Sequence, residues 1–184
     1  MRPAAAVAIV LSLAGCREAP RLPEYGTVPA FQLTSQTGEV FDSSVLEGKI
    51  WVADFFFTTC AGPCPRMSAQ MRQVGKRAQD LPDLRLVSFT VDPEHDTPEV
   101  LAAYSKRFQA SPERWVFLTG PVETLNMLSF DSFKLGRVDN KDEHSTRFVL
   151  VDRRSRIRGY YTSWESGVIQ QLVDDIRSLY RESS

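Results

Sequence analysis

The chain has 184 residues, enough for one domain with a sizeable core and an N-terminal appendage. Its 42% hydrophobic and 24% charged residues are typical of a globular protein. The formal net charge of -1 gives no electrostatic reason to expect a nucleic-acid partner. With two histidines and three cysteines, the chain has few ways to build a metal or catalytic site.

Residues 1–15 have the pattern of an export signal. Arg2 gives a positive start, and residues 4–14 form an apolar run that is too short to span a membrane. The run ends in Leu13-Ala14-Gly15-Cys16, which resembles the lipobox of bacterial lipoproteins and implies cleavage before Cys16 and a lipid on its sulfur. An ordinary cleaved signal and an uncleaved anchor are the alternatives. We expect a lipid-anchored domain that faces the periplasm of a bacterial cell envelope.

A lipid on Cys16 would leave two free thiols, Cys60 and Cys64, outside the cytoplasm. An unprotected close pair tends to oxidise there. A functional pair must therefore cycle with a disulfide or be held by a metal.

The predicted elements begin after a polar tether of residues 16–27, which contains two prolines. The domain of residues 28–184 starts with a short hairpin around Gln36-Thr37-Gly38. Residues 50–57 are almost continuously apolar, which is typical of a strand buried on both faces.

A helix is predicted from about Pro65 to Gln79, directly after the two cysteines. Its apolar face contains Met67, Met71, Val74 and Ala78. Thioether sulfurs would suit copper, but core packing is a sufficient explanation of both methionines.

The second half of the chain alternates strands and helices. A strand over residues 84–91 ends at Asp92-Pro93, and Thr97-Pro98-Glu99 is a strong helix start. The further predictions are a strand at 115–118, a helix from Pro121, an irregular surface excursion over 130–143, strands at 146–151 and 157–162, and a closing helix over about 166–180. This order predicts an α/β domain of thioredoxin-like architecture, with a mixed central sheet flanked by helices and an N-terminal hairpin.

Four side chains are expected at one edge of this sheet. Sites in open α/β sheets lie beyond the carboxyl ends of the parallel strands, where Cys60 and Asp92 follow such ends. The strand after His144 should be antiparallel to these, so its amino end lies at the same edge. Cys60, Cys64, Asp92 and His144 can therefore meet.

Local physics places Cys64 at the start of the helix, because Pro65 suits the first helical turn. The helix macrodipole would favour its thiolate there. Two thiolates and one imidazole form a soft ligand set suited to Cu(I) or zinc, with one position left open. A closed structural zinc site needs a fourth ligand, and the only other imidazole is His95.

Each of these residues also has a plainer interpretation. A purely structural Cys60–Cys64 disulfide would constrain little chain. His144 is as well explained, from the residues alone, as an exposed histidine at the start of a strand. A solvated side chain explains His95 better than a ligand does, and a turn or capping role explains Asp92 as well as a place beside the ligands. The arginines after Asp152 are most simply a solvated turn, with a partner-binding patch as the weaker alternative: Arg153, Arg154 and Arg156.

Three motifs in order resemble the signatures of the SCO/SenC family: Phe56 to Pro65 (FFTTCAGPCP), Ser88 to Pro98 (SFTVDPEHDTP) and Glu143 to Thr146 (EHST). The resemblance runs from about Val28 to the C-terminus. It implies a thioredoxin-like fold that binds copper through Cys60, Cys64 and His144. It also implies delivery of copper to the binuclear copper centre of cytochrome c oxidase, or maintenance of the thiols of that centre.

The sequence departs from the family pattern at three positions. Ala61 and Gly62 stand where the family usually has Pro and Asp, and Glu143 stands where many members have Asp. None of the three is a ligand. The partners implied are the oxidase subunit that carries the copper centre, another copper chaperone or a thioredoxin-like reductant, and the membrane through the lipid.

Two other functions compete with copper delivery. A thiol–disulfide oxidoreductase would use Cys60 and Cys64 as a redox dithiol and would not need the histidine. A thiol peroxidase shares the fold class, but peroxiredoxins resemble Pro-x-x-x-Thr-x-x-Cys, and Ala53 and Phe57 occupy the proline and threonine positions. We therefore exclude the peroxidase.

Overall fold

A computed structural model describes residues 21–138 and 145–182 of the chain. Its eight strands form one mixed sheet in the order β1-β8-β7-β4-β5-β6-β2-β3. The strands are β1 (Gly26–Thr27), β2 (Gln32–Ser35), β3 (Val40–Asp42), β4 (Ile50–Phe56), β5 (Leu84–Thr90), β6 (Trp115–Thr119), β7 (Arg147–Val151) and β8 (Arg156–Thr162). Strands β4, β5 and β6 are parallel, and β7 is antiparallel to β4.

Helices cover both faces of the sheet. They are α1 (Cys64–Arg77), α2 (Pro98–Arg107), α3 (Val122–Asn126) and α4 (Val168–Glu182), with a 3-10 turn at Ser43–Leu46 and a π-helical segment at Met127–Ser132. No helix of the described residues is long and apolar enough to cross a membrane.

Strand β4 is buried along its whole length because it faces a hydrophobic core on each side. Ile50, Val52 and Phe56 pack with α1, α2 and α4 in one core. Trp51 and Phe55 point to the opposite core, which contains α3 and the π-helical segment. The alternation follows from the two-residue period of a strand.

The predicted thioredoxin-like α/β fold is confirmed, including the hairpin, the parallel strands and the closing helix. Gly38 in the hairpin turn has a φ of 82°, which favours glycine. The hairpin supplies the two outermost strands on one side of the sheet, where β2 pairs with β6.

The predicted surface excursion over residues 130–143 is only partly correct for its described part, where Phe130, Asp131, Lys134 and Arg137 are exposed. Phe133, Leu135 and Val138 are buried, and the Phe133 ring packs edge-on against Trp51 at 5.9 Å. These apolar side chains cover the face of the sheet that α1, α2 and α4 leave open. Residues 139–143 lie outside the described residues.

The predicted tether reaches into residues that pack on the sheet. Gly26 and Thr27 pair with β8, and the Tyr25 N–H donates to the Ile157 carbonyl at 2.9 Å. The carbonyl oxygens of Leu22 and Pro23 accept hydrogen bonds from the buried Arg158 guanidinium. Pairing with an otherwise open sheet edge holds this polar segment in place.

Candidate metal and redox site

The two thiols lie together where β4 leads into α1. The Cys60 N–H donates to the Phe57 carbonyl at 3.3 Å, which turns the chain back toward the helix. Cys64 is the first residue of α1, preceded by Pro63 with helical dihedrals (φ -72°, ψ -27°). Cys64 is fully buried, whereas 8% of Cys60 is exposed, and both are free thiols within hydrogen-bonding reach of each other. Solvent and partners therefore reach the pair through Cys60.

The Cys64 thiol is held in its protonated form. Burial raises its pKa, and the hydrogen bond with Cys60 and the nearby charge of Asp54 raise it further, while a backbone hydrogen bond from Phe57 acts in the opposite sense. The predicted thiolate at the helix start is therefore wrong for the reduced pair, because desolvation outweighs the macrodipole. A metal or a second sulfur must displace this proton before it can bind the Cys64 sulfur.

Gly62, in the loop between the cysteines, has an ordinary backbone conformation. A Cβ atom added to Gly62 would lie 3.9 Å from the Cys60 sulfur, an ordinary van der Waals contact. Gly62 is not among the residues with positive φ. Neither the space nor the backbone at this position requires glycine.

Asp92 lies beside the dithiol loop at the same edge of the sheet. The Val91 N–H donates to the Phe56 carbonyl at 2.8 Å, which joins the ends of β5 and β4. Asp92 is buried, its N–H donates to Thr90 Oγ1, and its carbonyl accepts from the backbone of His95. His95 is exposed, in keeping with the solvated interpretation.

His144, the predicted third ligand, lies outside the described residues. The neighbouring strand β7 begins at Arg147 and is antiparallel to β4, so its amino end is at the dithiol edge as predicted. Within residues 21–138 and 145–182, no three His, Cys, Asp or Glu side chains are grouped to hold a metal.

A buried carboxyl that sequence reasoning missed lies on the face of β4 that packs against α1, α2 and α4. Asp54 is 1% exposed, and its Oδ1 accepts from Ser88 Oγ at 2.6 Å. Trp115 Nε1 donates in turn to Ser88 Oγ at 2.9 Å. Burial raises the pKa of Asp54 to about 7. An aspartate inside a strand buried on both faces was the available signal, because it has nowhere exposed to point.

Met67 and Met71 are fully buried and pack in the same core as Cys64 and Phe56. This agrees with the prediction that both serve core packing. Sulfur-containing side chains fill irregular gaps well, which suits the space under the first turns of α1.

The arginine turn is less solvated than predicted. Asp152 is buried and accepts from Arg156 Nε at 2.8 Å and from Arg158 Nη1 at 3.0 Å. Arg153 donates to the Gly48 carbonyl and lies 4.6 Å from the Tyr180 ring centroid. Of the three arginines predicted to be solvated, Arg154 alone is exposed. The turn lies at the edge of the sheet opposite the dithiol, since it follows the carboxyl end of the antiparallel strand β7.

The fold and the buried dithiol define a thioredoxin-like protein with two cysteines at a helix start. The model of the family described as SCO1/SenC matches residues 20–181. The chain therefore belongs to the SCO1/SenC family, as the three motifs predicted.

Solved structures agree with this assignment. A SCO1/SenC family lipoprotein from Bacillus anthracis is 32% identical, with a TM-score of 0.75 over 84% of this chain and 95% of the other. BsSco, described with a disulfide switch and as a member of the Sco family of cytochrome c oxidase assembly proteins, is 29% identical, with a TM-score of 0.75 over 87% and 98% of the two chains. Arabidopsis thaliana ScoI with copper bound is 22% identical, with a TM-score of 0.71 over 84% and 99%, and shows the fold alone.

Proposed function

We propose that this chain is an extracytoplasmic metallochaperone that binds copper and delivers it to the binuclear copper centre of cytochrome c oxidase. The observation that carries the proposal is the pair of free thiols, Cys60 and Cys64, held within hydrogen-bonding reach at the carboxyl edge of the sheet. Thiolate ligands favour soft metals such as Cu(I). Membership of the SCO1/SenC family supports the same cargo.

In this proposal Cys60, Cys64 and His144 are the copper ligands, and Asp92 lies beside them. Each thiol loses its proton when it binds the metal, so binding releases protons to solvent. The partial exposure of Cys60 gives the cargo a route in and out. His144 as a third ligand would complete a three-ligand site with one open position, which suits transfer to a recipient.

The recipient in this proposal is the oxidase subunit that carries the copper centre. Another copper chaperone or a thioredoxin-like reductant would load or reduce the dithiol. Support comes from BsSco, which is described as a member of the Sco family of cytochrome c oxidase assembly proteins.

The test replaces His144 and measures copper binding to the reduced chain. We expect about one copper per wild-type chain and a loss of affinity of at least about tenfold in His144→Ala, since loss of a ligand should exceed the effect of losing a residue that only orients one. The matched control is His95→Ala, which removes the exposed histidine. Equal affinity in all three proteins would contradict the ligand assignment.

A second candidate function is thiol–disulfide exchange, favoured by the proximity of the two free thiols. In that reaction the dithiol gives two electrons and two protons to a substrate disulfide, and Cys60 and Cys64 become the disulfide. His144→Ala would then reduce a disulfide substrate at the wild-type rate without copper. If His144→Ala reduced the substrate at the wild-type rate and the wild-type chain bound no copper, disulfide exchange would be favoured over copper delivery.

We also propose that a lipid on Cys16 anchors the domain at the membrane, with the domain facing the periplasm. Cys16 lies outside the described residues, and the B. anthracis lipoprotein supports the idea. Labelling cells with a tagged fatty acid should mark the wild-type chain and Cys60→Ser, but not Cys16→Ser, which should also leave the membrane fraction. A label that persists in Cys16→Ser would contradict the anchor.

A further inference from the structure

One buried carboxylate ties the dithiol loop to the neighbouring strand. Asp96 has no exposed surface, and its two oxygens accept three hydrogen bonds from uncharged groups. Thr90 Oγ1, at the end of β5, donates to Oδ2 at 2.6 Å. The Thr58 N–H donates to Oδ2 at 3.1 Å, and the Thr58 hydroxyl makes a short hydrogen bond to Oδ1.

Thr58 belongs to the short segment that joins β4 to Cys60. It lies two residues before Cys60 and next to Phe57, whose carbonyl accepts from the Cys60 N–H. Two hydrogen bonds from one residue fix both the backbone and the side chain of Thr58 against Asp96. The segment that carries Cys60 is therefore held at a point close to the sulfur.

The other side of this contact is equally fixed. The Asp96 N–H donates to the Asp92 carbonyl at 2.8 Å, and the Asp92 N–H donates to Thr90 Oγ1 at 2.9 Å. Thr97 then caps α2 by accepting from the Val100 N–H. Asp96 is thus anchored to the end of β5 and to the start of α2, so it can hold Thr58 without moving itself.

We propose that Asp96 is a positioning residue for the dithiol: it holds the Cys60 loop so that the Cys60 sulfur stays next to Cys64. This rests on the proposed use of the dithiol in binding copper or in disulfide exchange. Cys64 is fixed by burial in α1, so the separation of the sulfurs depends on the Cys60 loop. A loop that is already ordered loses less conformational entropy when the sulfurs are bridged by a disulfide or by a metal.

The proposal is tested with Asp96→Asn and with two variants of Thr58. Asn has one acceptor oxygen in place of two, so at least one of the three donors from Thr58 and Thr90 loses its acceptor, and a hydroxyl keeps a hydrogen bond there only by turning to accept from the new amide group. We expect the Cys60–Cys64 disulfide to become about tenfold less stable against a reference dithiol, a rise in reduction potential of about 30 mV. Copper affinity should fall by a similar factor. Thr58→Val, which keeps the backbone donor, should give a smaller shift in the same direction, and Thr58→Ser should restore the wild-type values.

The control for general destabilisation is Asp152→Asn, which removes a buried carboxylate at the opposite edge of the sheet. It should unfold more easily and yet keep the wild-type disulfide equilibrium. Three results would overturn the proposal and leave Asp96 with a structural role only. The first is a wild-type disulfide equilibrium in folded Asp96→Asn and Thr58→Val, and the second is a more stable disulfide in these variants. The third is an equal shift of the equilibrium in Asp152→Asn. If the wild type binds no copper, the copper proposal fails while the disulfide equilibrium still decides the role of Asp96.

Discussion

Buried aspartates toward the two ends of the central strands have different hydrogen-bond donors. At the edge away from the dithiol, Asp152 accepts hydrogen bonds from two arginines, Arg156 and Arg158, and the second of these is itself buried. Toward the dithiol edge, Asp54 and Asp96 accept from hydroxyl and backbone amide groups. Backbone amides donate at both edges, but positively charged side chains add to them only at Asp152.

The pKa values follow this difference. Burial alone would raise the pKa of Asp152, but hydrogen bonds from the side chain and backbone of Arg156, the backbone of Arg154 and the side chain of Arg158 hold that pKa below its ordinary value. Burial raises the pKa of Asp54 to about 7, and the hydrogen bond from Ser88 offsets this only in part. A negative charge on Asp54 also raises the pKa of Cys64. The dithiol edge therefore disfavours additional negative charge and favours a cation.

The largest expected effect is at the edge away from the dithiol. Asp152→Asn removes one of the two carboxylates that pair with the buried Arg158, while Glu182 remains at 3.0 Å. Breaking a buried ion pair costs about 3 kcal/mol of unfolding free energy, and the partner that remains should keep the loss at or below this value. Asp152 has a lowered pKa, so its contribution is complete above its unfolded pKa of about 4 and is lost as the pH falls through the folded value. Urea unfolding at pH 7 and at acid pH measures both effects.

The matched control for this prediction is Asp80→Asn. Asp80 pairs with Arg177 at 2.7 Å, and this pair is far more exposed, with 56% of the Asp80 side chain and 36% of the Arg177 side chain accessible to solvent. Ion pairs with this exposure contribute about 1 kcal/mol or less to stability even when they are bidentate, so this variant should lose much less stability than Asp152→Asn. If both variants lost the same stability, burial would not be the reason that Asp152 matters, and the comparison between the edges would break down.

The sequence predicted the fold well because its strongest signals are local. The apolar run of β4, the Thr97-Pro98 helix start and the stripe of α1 each depend on the period or chemistry of a few neighbouring residues. The burial of Phe133 and the pairing of β1 with β8 depend on surfaces that appear only after the sheet has formed. Local patterns cannot show such contacts.

Sequence motifs predicted the two cysteines of the site but not the features that depend on burial in the folded chain. The dithiol spacing and the edge topology located Cys60 and Cys64 beside the end of β5. Asp96 was hidden because its partners, Thr58 and Thr90, come from two separate strand ends. The raised pKa of Cys64 was also missed, since a helix start predicts the opposite shift and only the depth of burial decides between them.

A smaller effect of opposite sign is expected from Asp54. Its folded pKa of about 7 lies above the unfolded value near 4, so the folded chain binds the extra proton between these pH values and loses stability as the pH rises through them. Asp54→Asn should remove this slope. Between pH 5 and pH 7.5, the free energy of unfolding of the variant should therefore rise by about 2 kcal/mol relative to that of the wild type. Ser88→Ala serves as the control, because it removes the hydrogen bond to Asp54 but keeps the titrating group. Urea unfolding of the reduced proteins across this range measures the slopes, and parallel curves for wild type and Asp54→Asn would show that folding does not raise the pKa of Asp54.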